Sequence, residues 1–207
     1  MMTNKALIIV NLFNEHYPNP KPSLNFSNLY QLVIAVILSA QTTDKAVNKI
    51  TPKLFEKYSS FKELAQANDI SDYIKSLGLY LNKAKYLKEL ALILQDREFP
   101  SDFNEMLKLP GIGRKTASVI SIEYFKLPMC PVDTHVNRIS HRLGISKAKS
   151  LITTQKDIEK YFNKECLRDL HHQLIFFGRD ICKSLKPKCL ECYLKDYCIE
   201  FKKSKIS

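Results

Sequence analysis

This chain has little glycine, little proline and no long apolar run. Five glycines and nine prolines in 207 residues leave few points at which to break a helix, and they cluster at joints between apolar-periodic segments. No period-2 alternation of apolar and polar residues runs for long, which argues against a fold built from half-buried strands. The longest apolar run, residues 32–38 (LVIAVIL), is far below the roughly 20 residues needed to span a bilayer. The apolar run at residues 6–10 is short for a signal-peptide core, and no small-residue cleavage site follows it. Internal repeats, low-complexity tracts and Gly/Ser-rich linkers are also missing. These absences predict a soluble, intracellular, all-α protein whose lobes, if there are two, pack tightly.

Positive charge is what the chain has in excess: 32 Lys+Arg against 21 Asp+Glu, a net +11. A protein this basic often meets a polyanion, and nucleic acid leads the candidates. A Lys-, Ile- and Asn-rich composition accounts for part of the excess, so charge alone decides little. Helical patterning covers nearly the whole length. Thr3 or Asn4 starts a first helix, and Ser27 is a candidate cap for a second, central helix that is apolar on nearly every face. Residues 70–78 end at Gly78, a natural helix stop. A clean stripe of Ala84, Leu87, Leu90, Ala91 and Leu94 marks a longer helix. Ser101 is expected to cap a short one.

The segment LPGIGRKTASVI, residues 109–120, reads as helix, tight glycine turn, helix. Gly111 and Gly113 shape the turn, and the second helix is expected to run to about residue 125 with Ala117, Ile120 and Tyr124 on one face. Arg114 and Lys115 fall in its first turn, where positive charge is the wrong sign for the helix dipole. Exposed N–H groups there suit an anion such as a DNA phosphate, and they bind it without sequence preference. The dipole and Arg114 are both expected to disfavour the Lys115 ammonium, and an amine that loses its proton is a nucleophile for a carbonyl carbon. Taken singly, the glycines fit an ordinary turn and the lysine a phosphate contact. Asp133 is a good N-cap for the helix that follows. It is also a candidate partner for Lys115. Residues 113–125, if helical, carry the chain about 20 Å away, and residues 126–132, extended, can span roughly 23–25 Å back.

Cys182, Cys189, Cys192 and Cys198 are spaced C-x6-C-x2-C-x5-C. Four thiolates on so short a segment point to one metal or cluster centre, and the spacing admits zinc as well as iron–sulfur. Cys130 and Cys166 lie outside the set and read as buried thiols. Lys186 and Lys188, with Lys183, make the loop between the first two ligands a candidate phosphate grip; a solvated lysine loop is its plain alternative.

Six segments now carry a resemblance: LSAQTTD (38–44), IKSLGLYLNKA (74–84), LPGIGRKTA (109–117), VDTH (132–135), HHQLIFFGRDIC (171–182) and the cysteine spacing. In this order, over nearly the whole chain, they resemble endonuclease III, a family of bifunctional DNA glycosylases/AP lyases in the helix–hairpin–helix superfamily. The resemblance implies an all-α fold of two helical lobes with a DNA-binding cleft between them. One lobe is a helical bundle, residues 22–128; the other joins residues 1–21 to 129–207 and holds a [4Fe–4S] cluster on Cys182, Cys189, Cys192 and Cys198. It implies Lys115 as the nucleophile and Asp133 as its catalytic partner. Gln41 would fill the gap left by a flipped base, and Leu79 would wedge into the stack. Gly111, Gly113, Arg114, Lys186 and Lys188 would meet the backbone of double-stranded DNA carrying a damaged pyrimidine or an abasic site. The expected state is a cytoplasmic, nucleoid-associated monomer with no membrane partner. Two other readings stand beside this one. An adenine-mismatch glycosylase typically lacks the hairpin lysine and carries a further C-terminal domain, whereas this chain has Lys115 and ends at Ser207. A non-catalytic DNA-binding module with a structural metal centre would make the Lys115–Asp133 pair incidental.

Overall fold

A computed structural model describes residues 2–204, and every regular element among them is helical. In chain order they are α1 (Asn4–His16), α2 (Leu29–Leu38), α3 (Asp44–Lys57), α4 (Phe61–Gln66), α5 (Ser71–Ile74), α6 (Tyr80–Leu94), α7 (Phe103–Met106), α8 (Arg114–Glu123), α9 (Thr134–Leu143), α10 (Leu151–Tyr161), α11 (Leu167–Asp180) and α12 (Ile199–Ser204). Single 3-10 turns precede α11 and α12. No helix among the described residues is long and apolar enough to cross a membrane. The chain divides into two compact units: Pro22–Phe125, and Met1–Lys21 with Lys126–Ser207.

The Pro22–Phe125 unit is built around α2. Tyr30 and all seven residues from Leu32 to Leu38 are buried, as an all-round apolar helix requires. Its cap is Asn28 rather than the expected Ser27. Asn28 Oδ1 accepts from Gln31 N at 2.9 Å, and Gln31 Oε1 accepts from Ser27 N at 2.8 Å. This reciprocal pair satisfies two donors at once, which Ser27 as cap would not. Helix α6 buries the predicted stripe, and it buries Lys83 as well. Lys88 reaches from α6 to the end of α4, where its ammonium donates to Ala65 O at 2.6 Å and to Ala67 O. Asp102, not Ser101, caps α7 through bonds to Asn104 N and Glu105 N, both 2.9 Å. Helix α8 stops at Glu123 and leaves Tyr124 exposed, so only Ala117 and Ile120 of the expected face are buried. Helix α5 ends four residues before Gly78, and the left-handed residue there is Leu79 instead.

In the other unit α1 returns to the C-terminal half of the chain. Its apolar face of Ala6, Ile9, Val10 and Phe13 packs with Val136, Ile139, Leu170 and Leu174 in one core. Phe13 meets Phe177 edge-on with centroids 5.5 Å apart, a preferred aromatic geometry. Lys5 donates to Leu143 O at 2.7 Å, tying the start of α1 to the end of α9. Phe13→Ala removes a ring that is wholly buried. It is expected to destabilise this unit by about 3–5 kcal/mol, read as an earlier denaturant midpoint; an unchanged midpoint would mean that α1 adds little to the core.

Candidate functional site

The hairpin between α7 and α8 is anchored from below. Leu109 and Ile112 are buried in the α2–α6 core, so the turn between them is held fast. Gly111 has φ +74°, and a Cβ there would stand 3.0 Å from Tyr86 Cβ; both facts demand glycine. Gly113 is different, because a Cβ on it would meet nothing within 4 Å. Its use is on the outside, where it leaves the backbone approachable. It is the cap residue of α8 and supplies no side-chain bond to the helix start. The first N–H groups of α8 therefore keep their capacity for an anion. Arg114 and Lys115 are exposed in that first turn. The Arg114 guanidinium lies 5.2 Å from the centroid of the Phe103 ring, a cation–π contact that holds it beside the hairpin.

Gln41 and Leu79 are both exposed and both left-handed, with φ 54° and 58°. Non-glycine residues rarely hold this conformation without a reason. The fold brings the two loops together: a Cβ on Gly78 would lie 3.9 Å from Gln41 O. Leu79 is also the cap residue of α6, again without a side-chain bond to the helix start.

Asp133 lies in the other unit, at the start of α9. Its Oδ1 accepts from Val136 N at 2.8 Å, and among the described residues no further hydrogen bond engages the carboxylate. The backbone leading to it is fixed from two sides. Cys130 N donates to Glu159 Oε1 at 3.2 Å, and the His171 imidazole donates from Nδ1 to Pro131 O at 2.9 Å. Two residues on, His135 Nδ1 accepts from Arg138 at 3.2 Å. Burial lowers the His135 pKa, against the raising effect of Asp133, and favours the neutral ring.

The four cysteines converge. All line one cavity of about 370 Å³, together with Arg142, Ile139, Leu143 and Phe177. Among the described residues no three His, Cys, Asp or Glu side chains are grouped so as to hold a single metal ion. Burial raises the Cys192 thiol to about 11 and raises Cys189 as well. Two arginines of α9 organise the entry to the cysteine segment. Arg138 donates to Cys182 O at 2.8 Å and to Gly178 O at 3.1 Å. Arg142 donates to Lys183 O at 2.7 Å and to Cys182 Sγ at 3.3 Å, while Cys198 Sγ donates to Arg142 O at 3.2 Å. Between the first two cysteines, Lys188 N bonds Ile181 O at 3.0 Å and closes a loop with Lys186 left-handed near its tip. Lys186 and Lys188 are exposed on it. Sequence reasoning missed Arg138 and Arg142. Their i,i+4 spacing after Asp133 was the available signal, since it places both on one helix face.

Residues 34–166 match the HhH-GPD superfamily of base excision DNA repair proteins. The chain is 44% identical to endonuclease III of Bacillus subtilis (strain 168) over 193 residues, 90% of this chain and 88% of that one. The chain belongs to the endonuclease III family. Two solved structures of endonuclease III resemble it closely. One is a trapped covalent intermediate with DNA, an estranged-adenine complex, with a TM-score of 0.89 and 40% identity over 99% of this chain and 100% of that one. The other is a non-covalent complex with DNA, with a TM-score of 0.90 and 39% identity over the whole of both chains.

Gly178 sets how closely α11 and α9 approach. A Cβ there would stand 2.7 Å from His135 Nδ1 and 3.1 Å from an Arg138 nitrogen. Gly178→Ala is expected to displace both side chains and cost about 1–3 kcal/mol by overpacking. A fall in melting temperature checks this; a gain from the better helix former would show that α9 yields freely.

Proposed function

We propose that this chain is a bifunctional DNA glycosylase and AP lyase, which excises oxidised or ring-damaged pyrimidines from duplex DNA and then nicks the abasic strand. One observation carries the reading: Lys115 is an exposed amine in the first turn of a helix without a side-chain cap, directly after an anchored glycine hairpin. The hairpin suits a DNA phosphate, and a grip on the phosphate delivers the neighbouring sugar to the amine. A covalent intermediate with DNA is known for an endonuclease III that shares 40% of its residues with this chain, and such an intermediate calls for a nucleophile of this kind.

In this reading the chain opens the duplex with Gln41 and Leu79, because the glycosidic bond is out of reach while the base is stacked. Leu79 enters the stack as an apolar wedge, and Gln41 offers its amide to the bases left behind. Lys115 attacks C1′ with its nitrogen lone pair. The bond from C1′ to the base breaks, and its electron pair leaves with the base, which takes a proton from solvent water. Asp133 stabilises the cationic sugar through its uncommitted carboxylate oxygen and takes up the proton that the lysine nitrogen releases. Asp133 returns that proton to O4′ as the C1′–O4′ bond breaks, and the ring opens to an iminium between Lys115 and C1′. A proton then passes from C2′ to solvent water, and the electron pair of that C–H bond expels the 3′-phosphate by β-elimination. The net charge of +11 and the exposed Lys186 and Lys188 favour the phosphate backbone without reading sequence. The functional division we propose assigns residues 22–128 to hairpin and base opening, and residues 1–21 with 129–207 to Asp133 and the cysteines.

The donor set fits a [4Fe–4S] cluster on Cys182, Cys189, Cys192 and Cys198. All four thiols line one cavity of about 370 Å³, and clusters of this kind are held by four cysteine thiolates. Arg142 donates to Cys182 Sγ, which offsets the charge of a thiolate ligand. When bound, the cluster supplies a rigid cross-link of four thiolates. Arg138 and Arg142 then hold the lysine-bearing loop to α9, the helix that Asp133 caps.

Borohydride reduction in the presence of a thymine-glycol duplex is expected to trap a protein–DNA adduct, and Lys115→Ala to lose it. An adduct that persists in the variant would refute the nucleophile. The purified protein is expected to be brown and to absorb near 400 nm, as [4Fe–4S] proteins do. A colourless protein carrying zinc would refute the cluster.

A further inference from the structure

Lys83 is the one lysine in the Pro22–Phe125 unit with almost no exposure, 3%. It stands on α6 one turn after Leu79, and its N–H makes the first bond of that helix, to Leu79 O at 3.0 Å. Its ammonium donates to Thr42 Oγ1 at 2.6 Å, and Thr42 directly follows Gln41. A buried ammonium held by a single neutral hydroxyl is costly. An apolar side chain at that position would serve stability better. Lys85, two residues on, is exposed and pairs with Glu89, so the helix does not need Lys83 for solubility. What Lys83 does join is specific. It links the loop that keeps Gln41 left-handed to the helix start that keeps Leu79 left-handed, at the place where a Cβ on Gly78 would meet Gln41 O.

We propose that Lys83 is a positioning residue for base opening: through Thr42 it fixes the separation of Gln41 and Leu79 as they enter the DNA stack. The inference rests on the reading of those two residues given above. The stack pushes back on a wedge. Leu79 and Gln41 each hold a backbone conformation that L-residues avoid, and a loop free to relax would give up that conformation under load. The Lys83–Thr42 bond spans the two loops beneath the exposed side chains and closes this route.

The test uses the full-length, cluster-bearing protein and two substrates. One is a thymine-glycol duplex, followed by single-turnover excision. The other is a duplex with a preformed abasic site, which has no base to unstack, followed by borohydride trapping. Lys83→Met is expected to slow excision at least tenfold and trapping less than threefold. Thr42→Val is expected to show the same split, and it carries the test should Lys83→Met fail to fold. The double variant is expected to be no slower than the slower single one, because both changes remove one bond. Equal loss on both substrates, no loss on either, or multiplied losses in the double variant would overturn the proposal. Gln41→Ala and Leu79→Ala separate the two levels of inference. If they slow excision and the Lys83 and Thr42 variants do not, the positioning role alone falls. If they leave excision unchanged, the reading of Gln41 and Leu79 falls and takes the positioning role with it.

Discussion

In an all-helical protein the unmet N–H groups at each helix start are the constraint that everything else must accommodate. At many of its helix starts this chain meets it with side chains. Thr3, Asn28, Thr43, Ser60, Asp102 and Ser150 each accept a backbone bond at the start of their helix. The exceptions include the helices that carry the proposed chemistry. Leu79 and Gly113 open α6 and α8 without any side-chain bond, and Asp133 commits one oxygen to α9 while the other is not engaged among the described residues. A helix start left open, or capped by a group with capacity to spare, keeps donors or charge ready for a ligand. The local instability is carried by the packing below: Leu109 and Ile112 under the hairpin, and Cys130 and Val132 ahead of Asp133.

Much of this was legible in the sequence. The stripe on α6 is buried at each of its five positions, and the cysteine spacing does bring four thiols around one cavity. Both signals are carried by residue type and period alone. Caps were less legible. At residues 27–28 and 101–102 two adjacent residues could each accept a bond, and the choice fell to reciprocal bonding by Gln31 in one case and to paired N–H bonds in the other. Tyr124 continues the spacing of Ala117 and Ile120, yet it is exposed because α8 stops at Glu123. Gly78 looked like a stop signal, yet the left-handed residue is its neighbour Leu79. Nothing in a leucine's chemistry announces a positive φ; tertiary contacts impose it, so a pattern reading has no access to it. The resemblance singled out Gln41 and Leu79 by motif, and the backbone supplies the physical distinction that the motif lacked.

Lysine shows the same limit most sharply, because one residue type serves at least three purposes here. Lys5 and Lys88 donate to carbonyls at helix ends, doing for C-termini what Thr3 and Asn28 do for N-termini. Lys115, Lys186 and Lys188 project into solvent, where a cation meets a polyanion at small desolvation cost. Lys83 is buried against one hydroxyl and reaches neither a helix end nor solvent. A net charge of +11 therefore overstates the surface that faces DNA, because some of that charge is spent inside the fold. The position of each lysine on its helix decides the use. Within α6 alone, Lys83 faces the loop of Gln41, Lys85 faces solvent and Lys88 faces the end of α4. Helical spacing turns three like charges to three different environments, and only the first of these can couple the two loops that the proposed chemistry needs.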